Sequence, residues 1–248
     1  MYWSSAMLKI YASDERLIVY DDNERIWDTF PGVVSENNRP VDFILSENEL
    51  DNSSRRIVRP FKGGVISSYV DAEWLLRKAI RQSKKLRPLC RIAVNPGSGG
   101  IELRAMQDWY HKWYNKQLPE LVYEPIAFLK GLDLYEGVVL TQRASMIELS
   151  IVRENEIIEY KSSYFNLDCN CRDVNQENHY IEKIIKRIVN ECNNLDCSLP
   201  IYFTSYKELY ELSDNDFDQY QIKRIDYDNF CMNIINGLGS DSIPLVLE

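Results

Sequence analysis

The sequence predicts an α/β protein with mixed sheets. Three observations carry that prediction: strand-turn-strand patterns near the start and again at 138–160, strand-turn-helix units between them, and a long amphipathic helix after residue 178. Leu8 to Tyr11 and Arg16 to Tyr20 read as two strands joined by the polar Ser13-Asp14-Glu15. A polar stretch from Ser46 to Arg56 leads into Arg59-Pro60-Phe61-Lys62-Gly63-Gly64, where the proline and paired glycines predict a loop. Asp71 then caps a helix to about Lys85, its carboxylate accepting from first-turn amides, with Trp74, Leu75, Leu76, Ala79 and Ile80 as the apolar stripe.

Arg91 to Asn95 reads as a short strand, Pro96 to Gly100 as a turn, and the following helix carries Ile101, Leu103, Met106, Trp109, Tyr110 and Trp113. Another strand covers Leu121 to Tyr123. Glu124-Pro125 opens a helix through Leu129, since proline suits the first helical turn. Val138 to Leu140, Ile147 to Val152 and Glu156 to Tyr160 form three antiparallel strands, and Leu167 to Gln176 is irregular. From Asn178 to Cys192, Ile181, Ile184, Ile185, Ile188, Val189 and Cys192 recur at helical spacing, with Lys183, Lys186 and Arg187 opposite. A strand at Pro200 to Thr204, a helix start at Lys207 to Leu212, a strand at Gln221 to Ile225 and a helix at Phe230 to Ile235 complete the chain, with no repeat of fixed period.

A length of 248 residues suits one large domain or two small ones. The net charge of −9 repels a phosphate backbone, so no nucleic-acid partner is expected. No run approaches the roughly 20 apolar residues of a membrane helix, and MYWSSAMLKIY lacks the marks of a signal peptide. With six cysteines, too sparse for a disulfide scaffold, a cytoplasmic location is expected. Tyr2, Trp3, Met7 and Leu8 are candidates for touching a membrane's inner face, although Lys9 is the one nearby basic residue.

Three collinear segments carry a family resemblance. Val58-Arg59-Pro60-Phe61-Lys62-Gly63-Gly64-Val65-Ile66, followed by Glu73-Trp74-Leu75-Leu76, resembles "RPMKDGVIADF…EKML" of the MreB family of rod shape-determining proteins. The segment from Val94 to Ala105 is similar to that family's "VPVGATQVERRA", and Tyr123-Glu124-Pro125-Ile126-Ala127 with Gly131 resembles "EEPMAAAIG". The resemblance is strongest over 57–132. It implies an actin-like, ribonuclease H-like ATPase fold with two small α/β domains, 1–137 and 138–248, around a nucleotide cleft. It also implies that the helical subdomain of the second domain is largely missing, because only Arg153 to Glu177 lies in its interval.

The family's nucleotide loops fall on altered residues. Its "DLGTANTLIY" aligns with Tyr11 to Tyr20, so Tyr11 stands at the aspartate that organises magnesium waters and Ser13 at a glycine, while Asp14 and Glu15 put carboxylates where polyphosphate would sit. Its "DIGGGTTEVAV" aligns with Thr141 to Ile151, where the aspartate and glycines are gone and side chains block close backbone approach. Its adenosine motif "LTGGGALL" aligns with Phe203 to Tyr210 and places Ser205 among the changed positions. Ser13, Asp14, Thr141 and Ser205 are therefore nucleotide-binding positions by resemblance, with their chemistry altered. Glu124 matches the carboxylate that positions attacking water, and Glu102 has a similar helix-facing place; one such carboxylate without a phosphate cradle does not make an ATPase. A Glu before Pro at a helix start is also favoured by the helix dipole alone.

The resemblance thus implies a non-hydrolysing pseudo-ATPase of the bacterial cytoskeleton, without a cofactor, acting in cell shape or envelope organisation through protein partners, either MreB-type filaments or further copies of itself. The alternatives are an ATPase using ATP and magnesium through divergent loops, and a stand-alone interaction module outside cell-shape biology. Other residues add little. Cys169, Cys171, Cys192 and Cys197 fit no common zinc spacing, and no metal is expected. His111 and His179 have polar neighbours and no triad partners, which makes them surface residues. Trp109, Tyr110, Trp113 and Tyr114 cover more of their helix than one core stripe needs, so core packing and an exposed protein contact both remain open.

Overall fold

A computed structural model describes residues 7–44, 56–63, 65–83, 89–114, 118–165, 174–193, 195–196, 198–206 and 219–246. The chain opens with an antiparallel meander, β1 (Met7–Ala12), β2 (Leu17–Asp21) and β3 (Glu24–Thr29). Next come β4 (Gly32–Glu36), β5 (Arg39–Ile44) and β6 (Ile57–Val58), which form a small sheet, and the paired β7 (Phe61–Lys62) and β8 (Val65–Ile66). Helix α1 (Tyr69–Ile80), β9 (Leu89–Val94), α2 (Gly100–Tyr114), β10 (Glu120–Tyr123) and α3 (Glu124–Gly131) follow. A second meander comprises β11 (Gly137–Gln142), β12 (Met146–Arg153) and β13 (Glu156–Tyr164). Then come α4 (Val174–Glu191), β14 (Ile201–Ser205), β15 (Ile222–Arg224) and α5 (Tyr227–Leu238).

Two five-stranded sheets share one plan. In β10-β9-β1-β2-β3 and in β13-β12-β11-β14-β15, an antiparallel meander is extended by two parallel strands. The chain therefore repeats a topology without repeating a sequence, because the plan fixes only which positions are apolar and where turns fall. Two-residue turns with both residues at positive φ, Asn37-Asn38 and Glu154-Asn155, close two of the hairpins, as the right-handed strand twist favours.

Apolar packing arranges the helices in layers. Leu75, Leu76 and Ala79 of α1 and Met106, Trp109 and Tyr110 of α2 bury against Leu8, Ile10 and Ile92 of the first sheet. The isoleucine stripe of α4, Ile181, Ile184, Ile185 and Ile188, buries against Leu140, Ile147 and Leu149 of the second. Between the sheets lie α3 and α5, whose Ile126, Phe128, Phe230 and Ile234 share one core with Tyr11 and Ala93 of the first sheet and Val139 and Tyr202 of the second. The two helices cross closely: a Cβ on Gly131 would stand 2.0 Å from the Asn233 carbonyl oxygen, and one on Gly237 would stand 1.8 Å from that of Ala127. Only glycine allows that approach.

Several expectations need correction. Ser68 occupies the cap position of α1, and its hydroxyl donates to Asp71 Oδ2 at 2.5 Å; Asp71 lies buried in the first turn, and the helix ends at Ile80 and not near Lys85. Helix α4 begins at Val174, within the stretch read as irregular. The loop at 59–64 is in part the hairpin β7–β8, with Gly63 at a φ of 59°. Strands β3, β4 and β5 escaped the sequence reading, since ERIWDT and RPVDFI show no clean alternation and are held by pairing with neighbours. Trp109 and Tyr110 resolve to core, Trp109 meeting Tyr110 edge-on at 5.5 Å, while the side chains of Trp113 and Tyr114 lie outside the described residues.

The helix start at Lys207 to Leu212, residues 46–55 of the polar stretch Ser46 to Arg56, and Tyr2 and Trp3 also lie outside the described residues. From β13 the chain reaches α4 through 165–173. Among the described residues, no helix is long and apolar enough to cross a membrane.

Candidate functional site

The two meanders point their first hairpin turns at each other. In the β1–β2 turn, the Ser13 amide donates to the Arg16 carbonyl at 2.8 Å, and the Ser13 hydroxyl accepts from the Arg16 amide at 3.0 Å, which tightens the turn and presents Asp14 and Glu15 inward. In the β11–β12 turn, the Arg143 amide donates to the Met146 carbonyl at 2.8 Å. The turns touch directly: the Ala144 amide donates to Glu15 Oε1 at 2.7 Å, and the Ser145 hydroxyl lies 3.4 Å from Asp14 Oδ2.

Arg143 occupies the space behind that contact and is 1% exposed. Its Nη2 donates to Glu124 Oε2 at 2.5 Å, its Nε to Glu148 Oε2 at 2.5 Å and its Nη1 to the Tyr11 hydroxyl at 3.2 Å; Glu15 Oε2 lies 3.9 Å away. One guanidinium from the second meander thus joins α3 and β1 of the first half. A second crossing lies beside it, where Glu148 accepts from the Tyr160 hydroxyl at 2.6 Å and from Asn95 Nδ2 at the end of β9. Asn95 Oδ1 accepts from the Gly97 amide at 2.6 Å, and a Cβ on Gly97 would press to 2.8 Å from the Tyr160 hydroxyl.

Burial and charge compete here. Desolvation raises the Glu124 carboxyl to about 7, with Arg143 opposing the rise and Glu148 and Glu15 adding to it. Glu15 is also raised, by burial first, against the pull of Arg143. Burial disfavours the charge on Arg143, yet Glu124, Tyr11, Glu148 and Glu15 hold its pKa well above the ordinary value. A cavity of about 10 Å³ remains, lined by Glu124, Thr141, Arg143, Glu148 and Ser150 among others, which is room for one water.

The five residues singled out from sequence take different places. Ser13, Asp14, Glu124 and Thr141 gather at this cleft, whereas Ser205 stands at the end of β14, its hydroxyl donating to Gln142 Oε1 at 2.9 Å. Where the resemblance puts adenosine, Tyr206 meets the Tyr227 ring edge-on at 5.6 Å, and Tyr227 stacks on Phe230 at 6.3 Å. The Tyr227 hydroxyl donates to Glu15 Oε2 at 3.2 Å, so α5 also closes on the β1–β2 turn. Glu102 stands half-buried in the first turn of α2. His111 and His179 are exposed. Of the four cysteines weighed for zinc, Cys192 donates to the Ile188 carbonyl at 3.2 Å and the others lie outside the described residues, among which no metal-ligand cluster occurs.

Sequence reasoning missed Arg143, Glu148, Tyr160, Asn95 and Tyr227 as parts of one network. A signal existed: Glu148 interrupts the apolar run Met146-Ile147-Glu148-Leu149-Ser150-Ile151, and a charge inside a buried strand requires a partner.

Two sheets of one plan, with a helix after the last strand of each and a cleft between their hairpin turns, define an actin-like fold. No family model and no curated protein matches the sequence. Among solved structures, MreB 5 of Spiroplasma citri bound to AMPPNP is similar with a TM-score of 0.72 at 12% identity, over 95% of this chain and 95% of that one. MreB5 of Spiroplasma citri bound to ADP gives 0.58 at 15% identity, over 75% of this chain and 58% of that one. The ethanolamine utilization protein EutJ from Carboxydothermus hydrogenoformans gives 0.55 at 14% identity, over 94% and 88%.

Proposed function

We propose that this chain is an actin-like protein that neither binds nor hydrolyses ATP and that acts through protein contacts in bacterial cell-shape or envelope organisation. One observation carries the reading: the Arg143 guanidinium occupies the cleft and holds Glu124, the carboxyl that by resemblance matches a water-positioning residue, in a buried hydrogen bond. A Glu held this way has its lone pairs directed at a cation and not at an attacking water. The turns at Ser13 and Ala144, which by resemblance flank phosphates, are bonded to each other through Glu15. A polyphosphate entering there meets Asp14, Glu15 and Glu148, and like charges in a partly desolvated cleft repel strongly.

Under this reading the two halves, 1–137 and 138–248, are actin-like domains, the second reduced between β13 and α4, and no ATP or magnesium is required. The Spiroplasma structures, which carry AMPPNP and ADP, support nucleotide binding for those proteins. The test is a thermal-shift titration with ATP and magnesium, since a ligand of the folded state raises apparent stability. No shift at millimolar nucleotide is expected; a dose-dependent rise overturns the proposal.

A second reading, a stand-alone interaction module outside cell shape, is favoured by the likeness to EutJ, whose name places it in ethanolamine utilization. Co-sedimentation with MreB-type filaments separates the two: enrichment in the pellet supports the cell-shape role, and its absence supports the module.

A further inference from the structure

Among the described residues, the buried network holds more negative than positive groups. Glu15, Glu124 and Glu148 surround one guanidinium, all of them nine-tenths or more buried. Each neighbouring element adds its own groups: Tyr11 from β1, Asp14 from the β1–β2 turn, Tyr160 from β13, and Tyr227 and Cys231 from α5, none of them a cation. Arg16, at the end of the same turn, is engaged by Asp28 at 2.7 Å and by Asp228. Negative charge in excess of the one guanidinium is costly to keep in a closed interior, and a carboxylate there lowers that cost by binding a proton.

We propose that closure of the cleft is linked to one proton, carried by Glu124 and released to solvent when the cleft opens, so that alkaline conditions loosen the contact between the hairpins β1–β2 and β11–β12. The hydrogen bonds assign the carrier. Glu148 is occupied by donors from Arg143, Tyr160 and Asn95, and Glu15 by the Ala144 amide and the Tyr227 hydroxyl. Glu124 accepts from the guanidinium and shares its small cavity with Pro125 and Val139.

The sign follows from the two environments. In the closed cleft burial lifts the Glu124 carboxyl to about 7, and in an open, hydrated cleft it returns toward 4.5. A pKa raised in the closed state favours closure at low pH, and that advantage is lost as pH rises through about 7. For one proton, the closure equilibrium weakens about tenfold between pH 6 and pH 8. The inference uses the same closed cleft as the proposed function, but its test reads a proton and not a nucleotide, so either can fail alone.

The reporter is the Ala144 amide, which donates across the cleft to Glu15. Its hydrogen-exchange protection in the full chain, corrected for the intrinsic rate at each pH, is expected to fall about tenfold from pH 6 to pH 8. In Glu124→Gln, which has no proton to release, the profile is expected to be flat. Glu15→Gln keeps the carrier, and with it the fall. A flat wild-type profile overturns the proposal even if the Glu124→Gln variant fails to fold. An undiminished fall in Glu124→Gln, or a profile flattened by Glu15→Gln, overturns the assignment.

Discussion

The two hairpin turns at the cleft occupy matching places in matching sheets, yet they carry opposite chemistry. The β1–β2 turn brings Asp14 and Glu15, while the β11–β12 turn brings Arg143. Turns that by resemblance grip a phosphate from two sides here bond to each other, the Ala144 amide donating to the Glu15 side chain. The difference teaches that a fold's symmetry fixes where a site lies and leaves its charge to individual residues. With one turn acidic and the other basic, the two bond to each other directly.

The strongest way to break this comparison is to remove its cation. Arg143→Met leaves buried carboxylates unpaired and is expected to cost about 3–5 kcal/mol in urea unfolding, while adding Glu124→Leu returns part of the loss, because breaking a buried pair costs more than replacing it. Should Arg143→Met prove neutral, the network is not what holds the turns together.

The charge imbalance can be sharpened by pH. Glu124 contributes stability that is fully present below about 4.5 and lost as pH rises through about 7, so urea unfolding should show a fall of about 2–3 kcal/mol between pH 5 and pH 8. A rise over that range contradicts the assignment.

Beyond the turns, the comparison extends to α3 and α5, the matching helices that cross through Gly131 and Gly237. Gly237→Ala drives a Cβ to 1.8 Å from the Ala127 carbonyl oxygen and is expected to cost about 1–3 kcal/mol by thermal melting. Gly100→Ala, with nothing within 4 Å, stays within about 0.5 kcal/mol by the same measurement. The smallest informative change is Asp226→Ala, which removes the side chain that accepts from the Asn229 amide at the start of α5, for about 1 kcal/mol.

How much was legible depended on range. The β1–β2 hairpin, the strand-turn-helix unit at 89–114, the three strands of the second meander and the isoleucine stripe of α4 follow from local periodicity, and all are present. Helix ends and edge strands were not legible: the cap of α1 falls at Ser68, ahead of the expected Asp71, and β3 and β5 acquire their state from neighbours. At the site, Glu124, Ser13, Asp14 and Thr141 lie at one cleft, but nothing local says that Arg143 reaches Glu124, nineteen residues away, or Tyr11, 132 residues away.

The sequence by itself determined the fold class, because alternation, helical spacing and turn residues act over a few positions and each element reports its own buried face. Only the tertiary structure decided what meets in the cleft: apolar burial in the shared core between the sheets sets the halves close enough for one guanidinium to meet three carboxylates, and a charge finds its partner through the packing of the whole chain.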